Sequence, residues 1–277
     1  MASVVLAVDE RGYPVAVKIA HSETADLPAL RALFEAEAAA ARGPSYPHLV
    51  RCLATTEDPL AMVLDYVDGP SLDALLDAGR LPDASVAALV VSDIAAGLWQ
   101  LEREGKAHGD LCPRNVLVDR DGVVKLTDYG AAAVAPGFVG TAGYAAPELV
   151  RGTSGGAIGR ADLFSLGVLF WELLRGERLF DAPTEALRLV ATVERVCPAV
   201  ALGRPELLPF VPLVSSLLAT TEATRPTSSA LIVSALAPHL VGGARARLAG
   251  HVDRVFVKEL AQRDAVRKAV APPYPDR

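Results

Sequence analysis

The chain has 277 residues, 51% of them hydrophobic, enough to bury a full core as one large domain or as two lobes. Its net charge of −6 and the lack of a long basic run argue against nucleic acid as a partner. Cys52, Cys112 and Cys197 are widely spaced, have no zinc-ligand pattern and suit reduced cytosolic thiols.

The first residues, Met1-Ala2-Ser3-Val4, lack the charged and apolar regions of a signal peptide, so a cytoplasmic protein is expected. Ser3–Asp9 and Tyr13–Ala20 read as two strands of a hairpin turning at Asp9-Glu10-Arg11-Gly12. A helix follows. Asp26 can cap it, Pro28 suits its first turn, and Leu27, Leu30, Leu33, Phe34 and the alanines to Ala41 supply an apolar stripe before Gly43. Glu35 and Glu37 both lie on this helix. Leu60–Leu64 reads as a strand, and Asp65-Tyr66-Val67-Asp68-Gly69 as a connector. From Ala84 to Glu104, apolar residues from Val86 to Leu101 recur at helical spacing until Gly105 ends the run.

That helix delivers the chain to the stretch His108–Gly130, which holds Asp110, Asn115 and Asp128. Val116–Val118 and Val123–Leu126 are β-prone runs joined by Asp119-Arg120-Asp121-Gly122, whose Asp-Gly is a strong hairpin signal. The hairpin brings Asn115, just before its first strand, close to Asp128, just after its second. Magnesium takes few ligands from protein and leaves the rest to water and phosphates, so one carboxylate and one amide suit it. Asp110, five residues earlier in a loop, is free to accept a hydrogen bond from an incoming hydroxyl.

Farther on, Gly140-Thr141-Ala142-Gly143-Tyr144-Ala145-Ala146-Pro147-Glu148 precedes a helix opened by Ala161-Asp162, apolar on nearly every side as a buried central helix must be. Its apolar stretch, Leu163–Leu174, is broken by Ser165, Gly167 and Glu172 and is too short to span a bilayer, so no membrane partner is expected. Val241-Gly242-Gly243 reads as a linker. Leu248–Val270 reads as a short amphipathic helix with Val252, Val255, Phe256 and Leu260 on one face, and Pro272–Pro275 as a disordered end. No internal repeat is visible. Only five of the 27 basic residues are lysine and alanine is abundant, a composition that suits a GC-rich bacterial genome.

Five ordered motifs across about residues 3–240 resemble the protein-kinase family, of the bacterial serine/threonine type. Val15-Ala16-Val17-Lys18 is similar to its Val-Ala-Ile-Lys strand, Tyr46-Pro47-His48-Leu49-Val50 to its His-Pro-Asn-Ile-Val, and His108-Gly109-Asp110, Asn115 and Asp128-Tyr129-Gly130 to its catalytic loop and metal-binding turn. Ala145-Ala146-Pro147-Glu148 is similar to its Ala-Pro-Glu, and Arg225 matches the arginine that pairs with that glutamate. The fold implied is α+β and bilobal. A small β-rich lobe spans residues 1–68, lacking the family's first strand and its glycine-rich loop. A larger, mainly helical lobe spans 69–240, with a tail over 241–277.

The activity implied is transfer of the ATP γ-phosphate to serine or threonine of a protein substrate, with Mg²⁺ held by Asn115 and Asp128. Asp110 receives the hydroxyl. Lys18 holds the phosphates and is held in turn by Glu37, or failing that Glu35. Backbone groups of Asp65 and Val67, next to Leu64 at the gatekeeper position, meet adenine, and Ala16 and Leu117 join them around the nucleotide. His108 packs beneath the loop without chemistry of its own. A buried Glu148–Arg225 pair would tie the docking loop to the large lobe, with a cost of about 3–5 kcal/mol for removing one partner.

Two departures stand out. Gly109 replaces the family's arginine, which removes the charge that receives an activation-loop phosphate, so control is expected from the tail or a regulatory partner. Cys112 replaces a lysine that touches the γ-phosphate; Arg114 can supply that charge or be a plain surface arginine. Two other readings stand beside this one. A non-catalytic kinase-fold binding module would explain the missing loop. Small-molecule phosphotransferases share His-Gly-Asp but lack the Ala-Pro-Glu loop, the Asp162 helix in this form and the Arg225 partner.

Overall fold

Residues 2–270 are described in this computed structural model, apart from 22–27, 80, 82, 131–139, 154–157, 195–196 and 202. Strands β1 (Ala2–Val8) and β2 (Pro14–Ala20) form the expected antiparallel hairpin, with Val5 opposite Val17. Gly12 turns it at φ 83°, and the Asp9 carboxylate accepts hydrogen bonds from the amides of Arg11 and Tyr13. Helix α1 (Pro28–Ala41) buries Phe34, Ala38 and Ala41. Its expected cap, Asp26, and the stripe residue Leu27 lie outside the described residues.

Strands β3 (Cys52–Glu57) and β4 (Leu60–Asp65) complete a four-stranded sheet in the order β1-β2-β4-β3. The sequence reading did not include β3, for a physical reason. Five of its six residues are exposed, so Cys-Leu-Ala-Thr-Thr-Glu shows no buried alternation.

The large lobe begins with α2 (Leu72–Ala78), capped by Ser71, and α3 (Ala84–Arg103), whose first amides are received by Asp83. Between α3 and the docking loop, β5 (Val116–Val118) and β6 (Val124–Leu126) form the hairpin expected from Asp-Gly, with Gly122 at φ 75°. The short α4 (Pro147–Val150) is followed by α5 (Ile158–Arg175), in which almost every residue from Ala161 to Leu174 is buried. Burying side chains the size of Phe164, Phe170 and Leu169 contributes roughly 2–3 kcal/mol each, which makes α5 the centre of the lobe. Helix α7 (Val211–Leu217) packs against it, while α6 (Glu185–Glu194) packs on α4 and α8 (Ala230–Leu236) on α3. Among the described residues α3 alone is long and apolar enough to cross a membrane, and most of it is buried inside this lobe.

Beyond residue 240 the chain forms two helices, α9 (Ala244–Val255) and α10 (Val257–Val270), separated at Phe256. Leu248, Val252 and Leu260 are buried, whereas Val255 and Phe256 are only partly so. Arg245 makes a bidentate ion pair with the buried Asp93 at 2.8 and 3.0 Å and also donates to the Gly122 carbonyl. A Cβ on Gly122 would sit 2.7 Å from the Arg245 carbonyl, so the hairpin turn and α9 touch backbone to backbone.

Candidate active site

Within the cleft one lysine joins the two lobes. On β2, Lys18 reaches Glu37 of α1 at 2.6 Å and Asp128, beyond β6, at 3.0 Å. Glu35 instead pairs with Arg31 on the exposed face, 2.9 Å away. Two residues apart on a helix, the glutamates point to different sides, and only Glu37 shares the side of Phe34, Ala38 and Ala41. Burial disfavours the Lys18 ammonium, but Asp128 and Glu37 outweigh it and raise its pKa. Glu37 is pushed up to about 7, chiefly by burial, with Lys18 opposing. Burial acts the same way on Asp128, yet the adjacent Lys18 brings its carboxyl below the ordinary range.

Beneath the catalytic loop Asp162, singled out in the sequence as opening a helix, has a supporting role that the sequence did not show. Asp162 of α5, buried, accepts the amides of His108 and Gly109, both at 2.8 Å. Its signal was a carboxylate opening an otherwise apolar helix. Burial pushes Asp162 up to about 7. Gly109 takes φ 84°, a conformation that favours glycine, so the residue in the family's arginine position also shapes the loop. His108 is fully buried, and desolvation lowers it to about 4, so it is neutral at physiological pH, as the packing role requires.

A 3-10 turn over Pro113–Asn115 aims the Asn115 amide nitrogen at the Asp110 carbonyl (2.8 Å) and carboxylate (3.3 Å). This leaves the amide oxygen available. The Thr127 amide donates to the Asn115 carbonyl at 3.0 Å, placing Asn115 next to Asp128, which adopts φ 57°. The expected hairpin logic therefore holds. Among the described residues no cluster of three or more His, Cys, Asp or Glu could hold a metal. A magnesium ion needs none of that kind, because Asp128 and Asn115 offer the one carboxylate and one amide that octahedral Mg²⁺ takes alongside water and phosphate. The residues fit the ion.

Asp110 is partly buried, and desolvation raises its pKa against the hydrogen bonds it accepts. One of these comes from Thr141, whose hydroxyl donates to Asp110 Oδ1 at 2.8 Å. Cys112, beside it, is buried, and desolvation followed by Asp110 pushes its thiol up, away from the reactive thiolate.

A cavity of about 370 Å³ opens between the lobes, and Ala16, Leu64, Asp65, Val67, Leu117 and Asp128 all line it. Lys18, Glu37 and Asn115 do not line it themselves; they flank it through their bonds to Asp128 and its neighbours. A second cavity of about 360 Å³ lies along Thr141–Tyr144. The exposed Arg114 borders both cavities, which places its charge between the two chambers.

The docking loop is anchored twice. Arg225 forks onto Glu148 at 2.6 and 2.7 Å, donates to the carbonyls of Ala219 and Arg160, and lies over the Phe164 ring. Tyr144, itself buried, hydrogen-bonds Glu172 at 2.7 Å and receives Arg178, which also reaches Asp73.

Fold and site together define a two-lobed domain of the kinase type, with the anchored loop that separates protein kinases from small-molecule ones. The protein kinase domain family matches residues 1–236, and the chain belongs to that family, whose members use ATP and Mg²⁺. A probable serine/threonine-protein kinase of Bifidobacterium longum is 32% identical over 245 residues, covering 83% of this chain and 32% of the relative. The serine/threonine-protein kinase PkaB of Streptomyces coelicolor is 34% identical over 245 residues, 79% of this chain and 55% of its own. The corresponding kinase PknA of Corynebacterium glutamicum is 33% identical over 200 residues, 66% and 42% respectively. The chain thus spans only about a third to a half of the length of these relatives.

Proposed function

We propose that this chain transfers the γ-phosphate of ATP to serine or threonine hydroxyls of protein substrates, with Mg²⁺ held by Asn115 and Asp128. The observation that carries the reading is the lysine that joins the lobes. Lys18 is fixed between Glu37 and Asp128, so its ammonium is charged and cannot wander from the cleft. When bound, the magnesium nucleotide supplies the phosphoryl group and offsets charge on its oxygens.

The chain's own residues do the positioning. The backbone of Asp65 and Val67 meets adenine, with Ala16 and Leu117 on either side. Asp110 orients the acceptor hydroxyl and takes its hydrogen bond, a contact Thr141 already makes from within the chain. An incoming serine or threonine displaces Thr141 or uses the second carboxylate oxygen. Arg114, bordering both cavities, contributes positive charge where phosphate passes from one chamber to the other. Serine or threonine specificity is supported by Gly140-Thr141 ahead of Tyr144 and by the names of the relatives. The setting proposed is the cytosol, where ATP is abundant and the three cysteines stay reduced. Regulation is assigned to the segment after residue 240 or to a partner bound there.

The test is Asp128→Asn in a radiolabelled phosphotransfer assay on a generic protein substrate. Wild-type signal with loss in the variant supports catalysis. Equal signals, or none from either protein, would refute it, the second in favour of a binding module.

A further inference from the structure

The wall of the cleft contains a residue from the tail. Arg263, on α10, lines the same cavity as Leu64, Val67 and Asp128, although it lies almost two hundred positions after the connector. Its Nη1 donates to the carbonyl of Gly69, the last residue of the connector, at 3.0 Å. The placement is secured by more than that bond. One residue on, Asp264 meets Arg120 of the β5–β6 turn at 2.9 Å, and Arg120 also donates to the Leu260 carbonyl at 2.9 Å. Arg120 is paired as well with Asp68 at 3.0 Å, and the Leu260 side chain is buried. Connector, hairpin turn and tail helix therefore converge on one corner of the cleft.

We propose that Arg263 is a nucleotide-binding residue whose guanidinium donates to the ribose hydroxyls, so that α10 forms one wall of the nucleotide cleft. The inference rests on the nucleotide reading of that cavity and adds to it a contact from outside residues 1–236, the part matched by the kinase family. A guanidinium carries five N–H donors in a rigid fork. One is spent on Gly69 and another meets the Tyr66 hydroxyl. The remainder border a cavity whose adenine end is set by Asp65 and Val67 and whose phosphate end is set by Asp128. Arg263 sits at Gly69, where the connector leads away from the adenine end into the large lobe, which is where the sugar of a nucleotide spanning those ends would lie. Ribose hydroxyls can accept from such a donor, whereas the bare base offers nothing at that point.

Calorimetry on the full chain with ATP, adenosine and adenine tests the assignment. A hydrogen bond from a charged donor gives about tenfold in affinity. Arg263→Ala is therefore expected to weaken ATP and adenosine by about tenfold each and to leave adenine unchanged, at an unaltered melting temperature of the ligand-free protein. Equal affinities for both proteins would overturn the ribose contact while leaving the cleft reading intact. A parallel loss for adenine would overturn it too, by making Arg263 a packing residue. Tighter binding in the variant would show that α10 plugs the cleft instead. Failure of the wild type to bind ATP or adenosine would defeat the cleft reading itself. If Arg263→Ala loosens the tail, Arg263→Lys carries the test, since it keeps the stem and the charge but loses the fork. A ribose-dependent gain equal to the wild type's would then count against the proposal.

Discussion

Replacing Arg225 by methionine removes the guanidinium that closes the docking loop onto the large lobe, and the structure sets the size of the effect. Arg225 is fully buried and Glu148 nearly so, and the two share bonds of 2.6 and 2.7 Å. The substitution strands a buried carboxylate and also leaves the carbonyls of Ala219 and Arg160 without this donor. Breaking one side of a buried pair costs about 3–5 kcal/mol, most of it for the uncompensated charge. Glu148→Gln is milder, because the guanidinium keeps its two carbonyl partners, and about 2 kcal/mol is expected. In the double variant no charge is left unpaired, so its cost should fall short of the sum by about 2 kcal/mol. Urea unfolding followed by tryptophan fluorescence reads all three, since Trp171 is buried in α5 and reports on this lobe. Single losses below about 1 kcal/mol that simply add would mean the pair acts as an ordinary surface salt bridge, and the anchoring argument would fail.

Two further outcomes follow from the site. Buried neutral His108, at about 4 when folded against about 6.5 when unfolded, lets the unfolded chain bind the extra proton between those values. Its contribution is therefore complete above pH 6.5 and lost as pH falls toward 4. Between pH 7 and pH 5 wild type should lose about 2 kcal/mol more than His108→Asn in matched urea titrations; parallel losses would place the pH sensitivity elsewhere. In the loop from Gly130 to Glu148 the only hydroxyls are Thr141, bonded to Asp110, and Tyr144, buried against Glu172 and Arg178, and no arginine replaces Gly109. Phosphatase treatment should thus leave the phosphotransfer rate unchanged, and a steep fall mapped by mass spectrometry to this loop would contradict that.

Much of the site was legible in the sequence because it is written in short strings. Asp-Gly between two β-prone runs sets a hairpin by local sterics, and the hairpin alone places Asn115 against Asp128. The helical period set α1 and α3, an almost unbroken apolar run set α5, and the turn at Asp9-Glu10-Arg11-Gly12 set β2. Other features had no local signal. The strand Cys52–Glu57 is exposed along an edge and shows no alternation. Asp162 supports His108 and Gly109 from 54 and 53 residues away, and Thr141 reaches Asp110 across 31. The tail read as a linker and one amphipathic helix; packing seats it as two helices, pinned by Arg245 on Asp93 and by Arg120 on Asp264. The sequence by itself singled out the candidate site residues, because short motifs and turn signals act within a few positions. The tertiary structure decided which partners they meet, including Glu37 over Glu35, because burial and ion pairing select among faces that only the packed lobes bring together.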